Sequence, residues 1–101
     1  MIQIKELVKA MRDELKDAEA YIDKALQYKA SEKNLADMYK DIAQQEIKHA
    51  HMEHDQAVRI IEKVKQTGMK IPEAMQTVWD WEHEELIEHE ALIKMKIDMY
   101  G

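Results

Sequence analysis

Residues that end helices are almost confined to one stretch of this 101-residue chain, Gln66-Thr67-Gly68-Met69-Lys70-Ile71-Pro72. Gly68 suits the end of one helix and Pro72 the start of the next. A weaker break, Lys29-Ala30-Ser31-Glu32, offers Ser31 as an N-cap before an acidic first turn. The runs between these breaks are rich in Ala, Leu, Glu, Lys, Gln and Met and contain no Phe, which favours helix and argues against a sheet. The expected fold is therefore all-α, a single domain over residues 1–101 with helices at about 3–29, 32–67 and 72–99. Both connections are short, which favours antiparallel neighbours in an up-down-up chain.

Several function classes drop out on composition. Without cysteine there is no thiolate site or iron–sulfur centre, so any metal must sit on Glu, Asp and His. The first residues, Met1-Ile2-Gln3-Ile4-Lys5-Glu6, lack the apolar core of a signal peptide, and no run approaches the roughly 18 apolar residues of a membrane span. A cytoplasmic protein with no membrane partner is expected. A net charge of −6 without a basic stripe argues against nucleic acid as a partner. No nucleophile triad, phosphate loop or nucleotide fingerprint is present.

Residues set about 100° apart around each helix define its apolar face. In the first helix the stripe is Leu7, Met11, Ala18, Ile22 and Ala25, with Val8 and Leu15 on one margin and Tyr21 on the other. Glu14 falls inside that band and Glu19 toward the Val8/Leu15 margin. In the second the stripe is Leu35, Tyr39, Ile42, Ala57, Ile60 and Val64. Glu46 lies at its centre, Glu53 almost beneath it two turns on, and His49 nearer the edge. The third helix carries Met75, Trp79, Leu86, Ile93, Ile97 and Tyr100, with Glu82 and His89 within the stripe and Glu85 on its rim. An unpaired carboxylate in a core costs several kcal/mol, and a shared cation would offset several at once.

Glu46-Ile47-Lys48-His49 is the sharpest of these interruptions. A Glu-x-x-His step puts both side chains on one helix face, about 5–6 Å apart at Cβ, where they can share a metal ion in a bundle. The bare pattern is cheap, since chance supplies about 0.6 matches in a chain of this composition; its place on an apolar face is what gives it weight. A hairpin turning near residue 30 brings Glu14 level with about residue 46 or 47, whereas Glu19 falls about 7 Å lower at 1.5 Å per residue. Glu46 is then placed to bridge two metal ions, with Glu14 and His49 as terminal ligands and Glu19 in reserve. Such oxygen and nitrogen donors suit iron, zinc or manganese. His51, His54 and His83 point away from the stripes and read as surface residues. Glu53 reads as a rim carboxylate, the tyrosines as packing and the methionines as adaptable filler.

These residues resemble a family. Glu14 with Tyr21 seven residues on, then Tyr39-x-x-x-Ala43-x-Gln45-Glu46-x-x-His49-Ala50, is similar to the first half of a rubrerythrin or bacterioferritin-type ferritin-like protein. The likeness spans residues 11–60, and the 32 residues between Glu14 and Glu46 are close to the family's separation. It implies a di-iron centre in a four-helix bundle, used to oxidise Fe(II), reduce peroxide or activate oxygen. Glu14 would be the first-helix ligand, Glu46 and His49 the second-helix pair, and Glu82-x-x-Glu85 a fainter third-helix counterpart.

The chain departs from that pattern in having no fourth helix, and hence no second Glu-x-x-His, and in its short connection at 68–71. Folded straight back, the third helix brings His89 level with His49 and Ala50, and Glu82 near Ala57. Two assemblies would complete the site. A homodimer, or a higher homo-oligomer, could pair two hairpins so that Glu14, Glu46 and His49 of each chain form a six-ligand centre, as the resemblance to encapsulated ferritins implies. Alternatively one chain joins Glu14, Glu46 and His49 to a third-helix residue among Glu82, Glu85 and His89. The dimer is preferred because Ala74, Trp81, Leu92 and Met99 form a second apolar strip on the third helix. The rival reading is a non-enzymatic helical self-association module, of phage or other mobile-element origin, that keeps the scaffold without the metal.

Overall fold

The computed structural model describes residues 2–101, which form three helices and, among the described residues, no strand. They are α1 (Ile2–Tyr28), α2 (Lys33–Gln66) and α3 (Glu73–Tyr100), an elongated bundle of 57 × 18 × 18 Å. Each boundary lies within one residue of expectation. The turn into α2 differs in chemistry: Glu32, not Ser31, holds the N-cap position, and no side chain caps it. Its amide instead reaches back to the Tyr28 carbonyl at 2.8 Å, closing the turn through the backbone. Gly68 takes φ +80° just after the end of α2, a conformation open to glycine at little cost, and its amide bonds the Lys65 carbonyl.

Helices α1 and α2 meet along rows of small and aliphatic residues seven apart. Ala36, Ala43, Ala50 and Ala57 of α2 are buried, as are Ile4, Met11, Ala18 and Ala25 of α1. Alanine at the seam lets the two backbones approach closely. The third helix lies against Val8, Leu15 and Ile22 of α1 and Ile47 and Ile61 of α2, burying Trp79, Ile93 and Tyr100. Polar contacts mark its path: Arg12 to Glu82, Glu19 to His89, and Lys96 to Glu19 and Asp23. On α2 it meets His54 through His83, His51 through Glu90 and Asp37 through Tyr100.

In α3 the buried row is the expected stripe, whereas in α1 and α2 it is rotated from it. In α1 the centre shifts toward Val8 and Leu15, and Leu7 and Tyr21 are only half-buried; in α2 it shifts to the alanine row, and Leu35, Tyr39, Ile42 and Ile60 are half-buried. Each helix is apolar over a wider arc than its two neighbours cover. The uncovered part faces away from α3, as a groove between α1 and α2.

Candidate metal centre

That groove holds the expected ligands. Glu14 enters it from α1, seven residues after Leu7 and seven before Tyr21. Glu46 and His49 enter from α2, one turn apart. Ligand atoms of these three side chains all lie within 4.8 Å of one another, and among the described residues no other set of three His, Asp or Glu does so. Glu14 Oε2 stands 3.6 Å from His49 Nδ1; the Glu14 side chain is 25 % exposed and His49 53 %. Toward the α1–α2 turn, Tyr39 stacks against Tyr21 and Tyr28 at centroid distances of 6.0 and 6.2 Å.

The electrostatics are those of a site short of positive charge. A hydrogen bond with Glu14 holds the Glu46 carboxyl above the usual carboxylate range, reinforced by partial burial and by Glu14's negative charge and opposed by His49. A nearby cation would relieve the crowding of negative charge that raises Glu46. Glu53, one turn beyond His49, is raised mainly by burial, and Oε1 of this carboxylate is buried without a hydrogen-bond partner. A buried acceptor without a donor is costly. Glu53 is thus more than the rim carboxylate expected from sequence; its heptad position below Glu46, on the uncovered side of α2, is the signal for that deeper place.

The third-helix candidates do not join this group. Glu82 pairs with Arg12, His89 Nε2 donates to Glu19 at 2.8 Å, and Glu85 is exposed. His89 does lie at the level of α2 expected for it, since its neighbour Glu90 meets His51. It turns instead toward α1, because α3 occupies the side of the α1–α2 pair opposite the groove. A centre within one chain that joins Glu14, Glu46 and His49 to Glu82, Glu85 or His89 is therefore not what this arrangement brings together. Glu19, the reserve ligand, is likewise committed to α3, and its bonds to Lys96 and His89 hold its carboxyl below the usual range.

The donor set fits a divalent metal. One imidazole and two carboxylates that already share space, beside a carboxylate oxygen with no partner, supply the oxygen and nitrogen ligands preferred by iron, manganese and zinc. No helix among the described residues is long and apolar enough to cross a membrane. Compared with protein-family models, with curated proteins and with solved structures, the chain matches none.

Proposed function

We propose that the chain is a cytoplasmic, ferritin-like di-metal carboxylate protein acting as a homodimer or higher homo-oligomer, with iron as its metal and manganese or zinc as alternatives. In this reading the chain runs up, down and up, and the groove of one α1–α2 pair packs on that of a second copy about a two-fold axis. Glu14, Glu46 and His49 from each copy then supply six ligands to one centre. The observation that carries the proposal is the convergence of these three side chains within 4.8 Å on a face that α3 leaves open.

Packing supports the same assembly. The larger apolar side chains of α2 in this arc, Leu35, Tyr39, Ile42 and Ile60, flank the groove and are half-buried, while alanines fill the intramolecular seam. A second copy would complete their burial, at about 25 cal/mol for each Å² of apolar surface removed from water. It would also bring four carboxylates together, which costs several kcal/mol unless cations neutralise them. Bound iron would supply one-electron chemistry toward oxygen or peroxide, hence a ferroxidase or oxygen-handling activity. The chain's own part is to present the Glu14 and Glu46 carboxylates and His49 nitrogen, and to exclude water with Tyr21, Tyr39 and Ile42.

Anaerobic Fe(II) titration of metal-free protein, followed by air, tests this. Saturation at two irons per dimer, with an oxo-ferric absorbance band after air, supports the proposal; absence of saturable binding with helicity intact refutes it. The second reading, a self-association module without metal, draws on the continuation of the half-buried row through Ile60 and Val64 beyond the polar group. It requires dimerisation to survive His49→Ala unchanged and metal to have no effect on it.

A further inference from the structure

The apolar row that α2 turns toward α3 has its own interruption. Ile47 and Ile61 are buried in that row, and His54 stands midway, seven residues from each. His54 is half-buried and faces His83 of α3. The two Nε2 atoms are 3.0 Å apart, and the rings are stacked with centroids 4.9 Å apart and planes 19° from parallel. Trp79, buried on α3, stacks on both, at 6.1 Å from His54 and 5.6 Å from His83. A cleft of about 320 Å³ opens beside the pair, lined also by His51, Asp55 and Glu90.

Two neutral imidazoles can satisfy this geometry with one proton, kept on one Nε2 and donated to the other. A metal ion satisfies it as well. Two nitrogens each about 2.0–2.1 Å from one ion, at angles between octahedral and tetrahedral, stand about 2.9–3.4 Å apart. The observed 3.0 Å falls inside that interval. His54 Nδ1 lies 3.5 Å from Asp55 Oδ1, so a proton on Nδ1 faces a carboxylate and leaves Nε2 bare, the orientation that metal-binding histidines commonly use.

We propose that His54 and His83 form a second metal site, an imidazole clamp for a borderline divalent ion (zinc, nickel, copper or cobalt) that ties α3 to α2. It lies across the bundle from Glu14, Glu46 and His49 and differs from that group in chemistry. The inner ligands are two neutral nitrogens, which favour the later first-row metals, and water completes the coordination. His83 moves its ring proton from Nε2 to Nδ1 when the ion arrives, so neutral rings release no net proton. Trp79 holds both rings against rotation, limiting the conformational entropy lost on binding.

Ni²⁺ is the probe, and the metal-free His49→Ala protein is the background, so the outcome does not depend on the proposed di-metal centre. Calorimetry should find one Ni²⁺ per chain, and bound Ni²⁺ should raise the melting midpoint. Paramagnetic broadening should reach the ring signals of His54 and His83 before those of His89. Adding His83→Gln should weaken binding at least about tenfold, since loss of even outer-shell partners costs about 10–100-fold. His54→Gln gives the same readout should His83→Gln alter helicity. Equal nickel affinity with and without His83→Gln, or no saturable binding in the His49→Ala background, would overturn the proposal.

Discussion

Glu14 Oε2 of α1 and His49 Nδ1 of α2 stand 3.6 Å apart across the groove. That is wider than a strong hydrogen bond and matches two ligands aimed at a common point. Donors about 2.1 Å from one ion stand about 2.9–4.2 Å apart, from cis to trans. Single substitutions Glu14→Ala, Glu46→Ala and His49→Ala should therefore each weaken Fe(II) or Mn(II) binding by at least about tenfold. Helicity should persist, since all three side chains lie outside the buried seam. Calorimetry with circular dichroism checks both halves of this expectation.

Glu53 should behave as an electrostatic liability while metal is absent. Burial raises its folded-state pKa, and Glu46 is raised as well. A raised carboxyl binds protons more tightly when folded. Its contribution is therefore fully present below the unfolded value near 4.3 and is lost as pH rises through the higher folded value. At neutral pH Glu53→Gln should raise the melting midpoint of metal-free protein, by about 2–4 °C. A thermal-melt series from pH 4 to 8 should show the gain shrinking toward acid.

The far end of α3 is held by groups that titrate in the opposite sense. Lys96 and His89 keep the Glu19 carboxyl below its ordinary value. Its contribution is complete above the unfolded glutamate value and is lost as pH falls through the lowered one. Acid should accordingly loosen α3 first. Amide exchange measured at falling pH should show protection lost around Ile93–Tyr100 before the alanine seam of α1 and α2. Glu19→Gln should reduce that pH dependence, the remainder coming from Asp37, which its bond to Tyr100 also holds below its ordinary value.

Tyr100 offers a spectroscopic reporter of the contact between the end of α3 and α2. Its hydroxyl donates to Asp37, and that hydrogen bond, with partial burial and Asp37's charge, pushes the phenol up to about 12. Stability from this bond holds below the unfolded tyrosine value near 10 and is lost as pH rises through the folded one. Tyrosinate absorbance should show one of the four tyrosines ionising last, and Asp37→Asn should return it toward the others.

The alanine seam sets the width of the groove. Ala43 and Ala50 are 0 % and 5 % exposed and flank Glu46 and His49 in sequence. Ala43→Leu should cost about 1–3 kcal/mol by overpacking, and by separating α1 from α2 it should weaken metal binding as well. Denaturant unfolding and metal titration on one variant give both numbers.

Helix limits were legible because Gly68 and Pro72 concentrate the breaks and the rest of the chain has no residue that must interrupt a helix. The Glu14, Glu46 and His49 group was legible for a related reason: polar groups inside apolar stripes betray a shared partner, and the hairpin register follows from 1.5 Å per residue. The rotation of the α1 and α2 stripes was not legible. Periodicity measures the whole apolar arc of a helix, including any part that faces a partner outside the chain. Leu35, Tyr39 and Ile42 pull the centre of the α2 apolar arc toward the groove, whereas Ala36 and Ala43, only weakly apolar, form the actual seam. The fate of Glu82 and His89 was hidden by the same ambiguity, since level along an axis does not say which neighbour a side chain meets. His54 and His83 looked like surface residues because each was judged against its own helix, and only their juxtaposition gives them a role.

The most direct test of the central claim is native mass spectrometry of metal-free protein titrated with Fe(II) or Mn(II) under anaerobic conditions. The account predicts that metal appears in pairs, two ions on the dimer and none held by the monomer, and that His49→Ala removes both ions together. Metal retained at one ion on an isolated monomer, or a dimer whose metal content is unchanged by His49→Ala, would contradict it.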